Sequence, residues 1–341
     1  MSQAKNRKDL HLEAVLEHDM RMHTKTNGLE SVDFEHCALP ECHLDEIDLQ
    51  TTFLGHSLAM PFLISSMTGG AKHAEHINAN LAEAAAELKI AMGVGSQRIS
   101  LEESNHTGLG AKIRRLAQGV PLYSNIGAAQ LRHENAVEVA HRAVENIEAD
   151  GLFIHVNPMQ EALQAGGDRN WCGILDAIET VVQAVKVPVI VKEVGFGISE
   201  SVAGQLISAG AQAIDVAGAG GTSWAAVEGY CHRDLKMAKA AELFRDWGNP
   251  TAYCLRSIRD AHPEVDLIAS GGIQNGLDAA KAIRLGADIV GQAGAVIRAA
   301  SLSTEAVIEH FEQLRFELML TCFGTGSRDL TMLKSSPLIN L

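Results

Sequence analysis

From residue 60 onward, short runs that are apolar almost throughout alternate with stretches whose apolar residues recur at helical spacing. The runs are Pro61–Ser65, Ile90–Gly95, Pro121–Asn125, Gly151–Asn157, Val187–Glu193, Ala213–Ala217, Asp266–Ser270 and Asp288–Gln292. Strands covered on both faces need such runs, because neither side meets water. Between them, Ile77, Leu81, Ala84 and Leu88 fall on one helical face, as do Ile174, Ile178, Val181 and Val185. Eight strand-helix units close a barrel. The junctions Ala149-Asp150-Gly151, Ala209-Gly210-Ala211 and Leu285-Gly286-Ala287 each place Gly just past a helix, where the left-handed region carries no Cβ penalty. No early G-x-G-x-x-G is present, which favours a barrel over an open doubly wound sheet. The expected fold is α/β: a (β/α)8 TIM barrel over residues 60–341, preceded by an extension of helix and irregular chain over residues 1–59, together one domain. Val307, Ile308, Phe311, Leu314 and Leu318 predict a final helix over 304–323. Gly218 to Lys236 reads as a long Gly-rich loop after the sixth strand, a lid or ligand wall.

Composition narrows the partners. The 341 residues are 46% hydrophobic, enough for a large core. A net charge of −14 argues against nucleic acid and anionic membrane, but not against a small anion met by a local cluster of cations. The start of the chain is polar, and no stretch is apolar enough to span a bilayer. Six scattered cysteines read as reduced thiols, so the expected location is the cytoplasm. His36, Cys37, Cys42 and His43 lie close together but lack the paired spacing of a zinc site.

In such a barrel the chemistry sits at the C-terminal ends of the strands. At or just past the ends of the runs stand Ser66-Met67-Thr68-Gly69-Gly70, then Ser96-Gln97-Arg98, Asn125, the group His155, Asn157, Gln160 and Glu161, then Lys192-Glu193, Gly220-Gly221-Thr222, Ser270-Gly271-Gly272 and Gln292-Ala293-Gly294. Gly271-Gly272 and Ala293-Gly294 would put bare N–H groups side by side after the last two strands, a common place for a phosphate. Strand alternation turns Phe153, His155 and Asn157 to one side, predicted to be the lumen. Lys192 is either a snorkelling lysine or a functional cation at the mouth. Beside a flavin, such a cation would stabilise the anionic reduced ring. His155 reads equally as a hydrogen-bonded core histidine. Glu161 reads as a solvated carboxylate or as a Mg²⁺ ligand, since Mg²⁺ takes few protein ligands. Arg7-Lys8 with His11 matters only if the terminus folds over the mouth.

These motifs in this order resemble type 2 isopentenyl-diphosphate Δ-isomerase, the FMN-dependent form. The match runs through Arg7-Lys8 with His11, Met67-Thr68-Gly69-Gly70, Gly95-Ser96-Gln97-Arg98, His155-Val156-Asn157-Pro158-Met159-Gln160-Glu161, Lys192-Glu193-Val194-Gly195, Gly218 to Trp224 and Ser270-Gly271-Gly272-Ile273. It covers nearly the whole chain. Leu10 and Met159 depart from the common pattern, neither of them at a polar ligand. The resemblance implies that Ser66, Met67, Thr68, Ser96, Asn125, Lys192, Thr222, Gly271, Gly272, Ala293 and Gly294 hold FMN. It implies that Arg7, Lys8, Ser96, Arg98, His155 and Gln160 hold the substrate. Gln160, His155 and Lys192 would serve catalysis, Glu161 would bind Mg²⁺, and NADPH would reduce the flavin. It further implies an isopentenyl/dimethylallyl diphosphate isomerase in a homotetramer or octamer. Two rival readings are an FMN-dependent 2-hydroxy-acid oxidase and a non-catalytic flavin or nucleotide binder. The first wants a His base and an Arg clamp near the end of strand seven, where Ser270-Gly271-Gly272-Ile273-Gln274-Asn275 offers neither. The second has no need of His155, Gln160 and Glu161 together.

Overall fold

A computed structural model describes residues 3–66, 74–98, 110–133 and 135–339. Each of the eight predicted runs holds a parallel strand, β5 continuing two residues past its run: β3 (Phe62–Ile64), β4 (Ala91–Gly93), β5 (Leu122–Gly127), β6 (Gly151–His155), β7 (Val189–Lys192), β8 (Ala213–Asp215), β9 (Asp266–Ala269) and β10 (Ile289–Gln292). They close into a barrel in chain order, β10 pairing with β3. The expected (β/α)8 architecture is therefore found. The outward-facing Leu152, Ile154, Val191 and Leu267 join the helix faces in one large core that includes Ile77, Leu81 and Leu88.

The lumen is ordered in layers. Leu63, Ala91, Tyr123, Phe153, Ile190, Ala213, Ile268 and Ile289, one from each strand, form a separate apolar cluster. Side chains alternate along a strand, so the lumen residue of the next layer is two positions on. Those residues are Ser65, Gly93, Asn125, His155, Lys192, Asp215, Ser270 and Gly291. Every one is polar or glycine. The barrel thus changes from hydrocarbon to hydrogen-bonding groups within a single layer.

Below the apolar layer the sequence reading is corrected. The last part of the extension is not irregular chain but a hairpin of β1 (Thr51–Phe53) and β2 (His56–Leu58). Its Phe53 and Leu58 belong to the apolar lumen cluster, and Phe53 meets Tyr123 edge-on at 6.5 Å. The hairpin plugs the N-terminal end. Phe53→Ala is expected to remove about 3–5 kcal/mol of stability by leaving a cavity, measured by urea unfolding. A loss below about 1 kcal/mol would mean that the plug bears no packing load.

Two further readings change. Residues 218–236 are not one long loop: helices run over Trp224–Cys231 and Leu235–Leu243. Ser223 caps the first, its side chain accepting from the amide of Ala226. At the junction before β6 the positive-φ residue is Glu148 (φ 48), not Gly151. Gly151 is required for a different reason, since a Cβ there would lie 2.8 Å from the Tyr123 ring. Gly210 (φ 92) and Gly286 (φ 112) take the expected left-handed role. The final helix spans Thr304–Gly324. Among the described residues, no helix is long and apolar enough to cross a membrane.

Candidate active site

Above the polar layer lies a cavity of about 300 Å³. It is lined by Arg7, Lys8, Ser66, Ser96, Arg98, Asn125, His155, Gln160, Glu161, Lys192, Thr222, Gly271, Gly272, Ala293 and Gly294. Every residue singled out in the sequence for cofactor, substrate or metal meets here, except Met67 and Thr68, which lie outside the described residues. The described lining carries four cations, Arg7, Lys8, Arg98 and Lys192, against one carboxylate, Glu161. A chain of net charge −14 thus concentrates positive charge in one cleft, which favours an anionic ligand.

The N-terminal helix Gln3–Glu17 forms the roof. Leu12 and Val15 line the cavity, Lys8 Nζ donates to the Ser96 carbonyl at 3.5 Å, and His11 stacks edge-on against Trp224 at 5.4 Å. The Nε of Arg7 is buried with no hydrogen-bond partner.

One wall is a backbone cradle at the ends of β8, β9 and β10. Gly271 (φ 101) and Gly272 (φ 76) both need the left-handed region. A Cβ on Gly221 would lie 2.6 Å from the amide N of Gly272, and one on Gly294 would lie 2.7 Å from Thr222 Oγ1. Bare N–H groups and a hydroxyl therefore converge where three chain segments meet. The extension ties the cradle down. The amide of Ser223 donates to the Met20 carbonyl (2.7 Å), that of Met22 to Gly221 (3.0 Å), and Asn27 Nδ2 donates to the Gly272 carbonyl (2.7 Å).

The floor has room and unmet polarity. The hydroxyls of Ser65 and Ser66 are buried without partners among the described residues. Gly93 and Gly291 leave space there: a Cβ on either would crowd Ser66 Oγ (2.7 Å) or Ser65 Oγ (2.4 Å). Unpartnered buried hydroxyls call for a ligand or water. These orphan hydroxyls and the glycine cradle fit a flat, polar-edged ring carrying a phosphate. The sequence reading chose Ser66 and passed over Ser65, which strand alternation places in the lumen.

His155 is fixed by its neighbours. Asn125 Nδ2 donates to the Val94 carbonyl at 3.2 Å, which turns Asn125 Oδ1 toward His155 Nδ1, 2.8 Å away. Nδ1 then carries the proton and Nε2 a lone pair. Burial first, then Lys192 and Lys8, pulls His155 down from the usual histidine range to about 3. The ring in the free site is neutral. Below about pH 6.5 the unfolded chain binds a proton that the folded chain refuses, so this group lowers stability as pH falls toward 3. We expect ¹⁵N NMR of the free protein to find His155 as the Nδ1–H tautomer, untitrated down to about pH 5. A midpoint near about pH 6.5 would contradict this.

Gln160 and Glu161 start the short helix Pro158–Leu163 after β6. Gln160 is held at both ends: Nε2 donates to Glu228 Oε1 (2.9 Å) and Oε1 accepts from Asn157 (3.0 Å). Glu228, almost wholly buried, also lies 3.2 Å from His11 Nε2. The sequence alone does not mark it, because the glycines at 218, 220 and 221 conceal the helix that carries it. The Glu161 carboxylate is buried and met only by neutral donors: Asn157 Nδ2 (3.2 Å), Gln164 Nε2 (3.1 Å) and the Asp168 amide (2.8 Å). A carboxylate facing the cavity with no cation on it suits a hard divalent ion that takes its other ligands from water and phosphate.

Similarity to known proteins agrees with this geometry. The sequence pattern of the FMN-dependent dehydrogenases matches residues 10–152 and 109–340. The isopentenyl-diphosphate delta-isomerase of Vibrio parahaemolyticus is 67% identical over 98% of both chains. That of Nostoc is 47% identical over 98% of this chain and 95% of its own. The chain belongs to the isopentenyl-diphosphate delta-isomerases, in their FMN-dependent type 2 form. Within that family the enzyme is an isomerase. The lactate oxidase of Pediococcus acidilactici has the same fold (TM-score 0.69, 17% identity, covering 98% of this chain and 94% of that one). A mandelate oxidase with an FMN adduct does too (TM-score 0.68, 16% identity, 96% and 95% covered). At this identity the likeness concerns the barrel alone.

Proposed function

We propose that this isomerase interconverts isopentenyl and dimethylallyl diphosphate, with FMN over the polar layer, NADPH as its reductant and Mg²⁺ at Glu161. The observation that carries the reading is the cavity itself. A phosphate cradle of Gly271, Gly272, Gly294 and Thr222 opens onto orphan hydroxyls on one side. Arg7, Lys8 and Arg98 line the same cavity. Two anionic groups of different ligands can thus be held, one by backbone amides and one by cationic side chains.

The reaction moves a double bond with no net change in electrons. One terminal carbon gains a proton and the carbon next to the oxygen-bearing CH₂ loses one. Bound reduced FMN would supply acid–base chemistry at the isoprene face. Lys192, on the floor, supplies the positive charge that favours the anionic form of such a ring. Arg7, Lys8 and Arg98 would fix the diphosphate and align the alkene, and Glu161 would hold Mg²⁺, whose charge would help neutralise it. Leu12, Val15 and Trp224 exclude water from the reacting carbons. His155 is neutral in the free site, and an arriving diphosphate raises its proton affinity. Gln160 orients the alkene; a carboxamide is a poor acid, and the ionisable group behind it is Glu228.

An anaerobic assay with FMN, NADPH, Mg²⁺ and isopentenyl diphosphate tests the reading by counting dimethylallyl product against NADPH consumed. Many products per NADPH are expected. One NADPH per product, or NADPH oxidised with no product, would replace the reading with a net redox reaction. The proposal includes a cytoplasmic homotetramer or octamer, to be checked by light scattering.

A further inference from the structure

Asp215 is the one carboxylate of the polar layer, and the mechanism above gives it no task. It ends β8, fully buried, in register with Lys192 on β7 and Ile268 on β9. Register partners on neighbouring parallel strands project to the same side. Ala213 and Ile190, two residues earlier, are both in the apolar lumen cluster, so Asp215 and Lys192 both enter the lumen. Ser270 Oγ donates to Asp215 Oδ1 at 2.6 Å, and the Ala217 amide reaches the same oxygen at 3.3 Å. The other oxygen, Oδ2, is buried and accepts from nothing.

Lys192 needs a counter-charge. It is buried, and its Nζ donates to the carbonyl of Glu193 at 2.5 Å. Burial disfavours the ammonium and equally pushes the Asp215 carboxyl up; each charge opposes the other's loss, and at Lys192 Asp215 is the strongest such influence, ahead of Glu193, although the two form no direct ion pair. Glu193 faces elsewhere: its Oε2 accepts from the amides of Val194, Gly195, Phe196 and Gly197 in the loop after β7. Among the described residues, His155 on β6, in register with Lys192, is neutral, and Lys8 from the roof, which also acts on His155, is positive.

We propose that Asp215 is a positioning residue, the counter-charge that holds Lys192 as an ammonium at the cavity floor, with Ser270 fixing the aim of its carboxylate. Its consequence for the cofactor rests on the flavin reading above; the pairing does not. A neutral amine in this place would no longer attract an anionic ring, so the charge on the floor is set one strand away from the residue that presents it.

The test is the rate at which acetic anhydride acetylates Lys192 in the flavin-free full-length chain at neutral pH, read by peptide mass spectrometry with Lys25 as internal standard. Only the free amine reacts. Asp215→Asn is expected to raise the Lys192 rate about tenfold, the effect of one unit in proton affinity. Ser270→Ala, which leaves the charge but frees its aim, is expected to raise it by a smaller factor and serves if Asp215→Asn fails to fold. Unchanged Lys192 rates in folded variants, even with lowered melting temperature, would make Asp215 merely structural and overturn the proposal. Binding of FMN to the wild-type chain, followed by flavin fluorescence, is scored separately. Its failure would sink the flavin reading while the acetylation comparison still decides the pairing.

Discussion

Glu161→Gln is expected to lower turnover by about 10²–10³-fold while FMN stays bound, and to abolish the response to Mg²⁺. The size reflects the group removed: the only carboxylate on the described cavity lining, and with it, on the proposed reading, the seat of the ion that would neutralise the diphosphate. The three groups on this carboxylate are all donors, from Asn157, Gln164 and the Asp168 amide. A carboxamide oxygen can replace Oε2 and keep two of them. Its NH₂ then faces Asn157 Nδ2, donor against donor, at a cost of about 1–3 kcal/mol. The variant should therefore be somewhat less stable as well as slow. Flavin retention separates the two effects, because Glu161 follows β6, two to four strands round the closed barrel from the strands that end in the glycine cradle. Activity that persists without Mg²⁺ dependence would remove the metal from Glu161.

Gly271→Ala is expected to remove about 2–5 kcal/mol of stability and to weaken FMN binding at least about a hundredfold. At φ 101 an alanine is strained whatever surrounds it. Its surroundings are backbone: a Cβ would lie 2.1 Å from the Gly218 carbonyl oxygen and 2.5 Å from its nitrogen. Neither can swing aside as a side chain could. Relief requires moving β8's end away from β9's, which opens the cradle that Gly272 and Thr222 share. Urea unfolding and fluorescence titration with FMN read the two effects. Native affinity in this variant would show that the phosphate lies elsewhere.

The barrel was legible because a strand buried on both faces leaves an unbroken apolar run, and eight such runs allow little else. The cradle was legible from Gly271-Gly272 and Ala293-Gly294 at the right strand ends. The hairpin over residues 51–58 was not. Its strands have three residues each, too few for a period, and Phe53 finds its place only once the barrel has closed around it. Glu228 was missed because the glycines at 218, 220 and 221 masked the capped helix that starts at Trp224. Asp215 sat unnoticed within the run Ala213–Ala217, and only register with Lys192 gives it meaning. The tautomer of His155 is a matter of ångströms: it depends on which way Asn125 is turned, and the Val94 carbonyl decides that.

The strap of residues 20–27 has a consequence for how the protein is made. Asn27 holds the carbonyl of Gly272, 245 positions later in the chain. As a ribosome extends the polypeptide, the strap emerges well before its partners Gly221, Ser223 and Gly272. The glycine cradle cannot assemble until Gly294, just past β10, has been made, when β10 also reaches β3 and closes the barrel. Nascent fragments that stop short of β10 therefore hold no closed glycine cradle, and flavin uptake through it would report that the last barrel strand has been made.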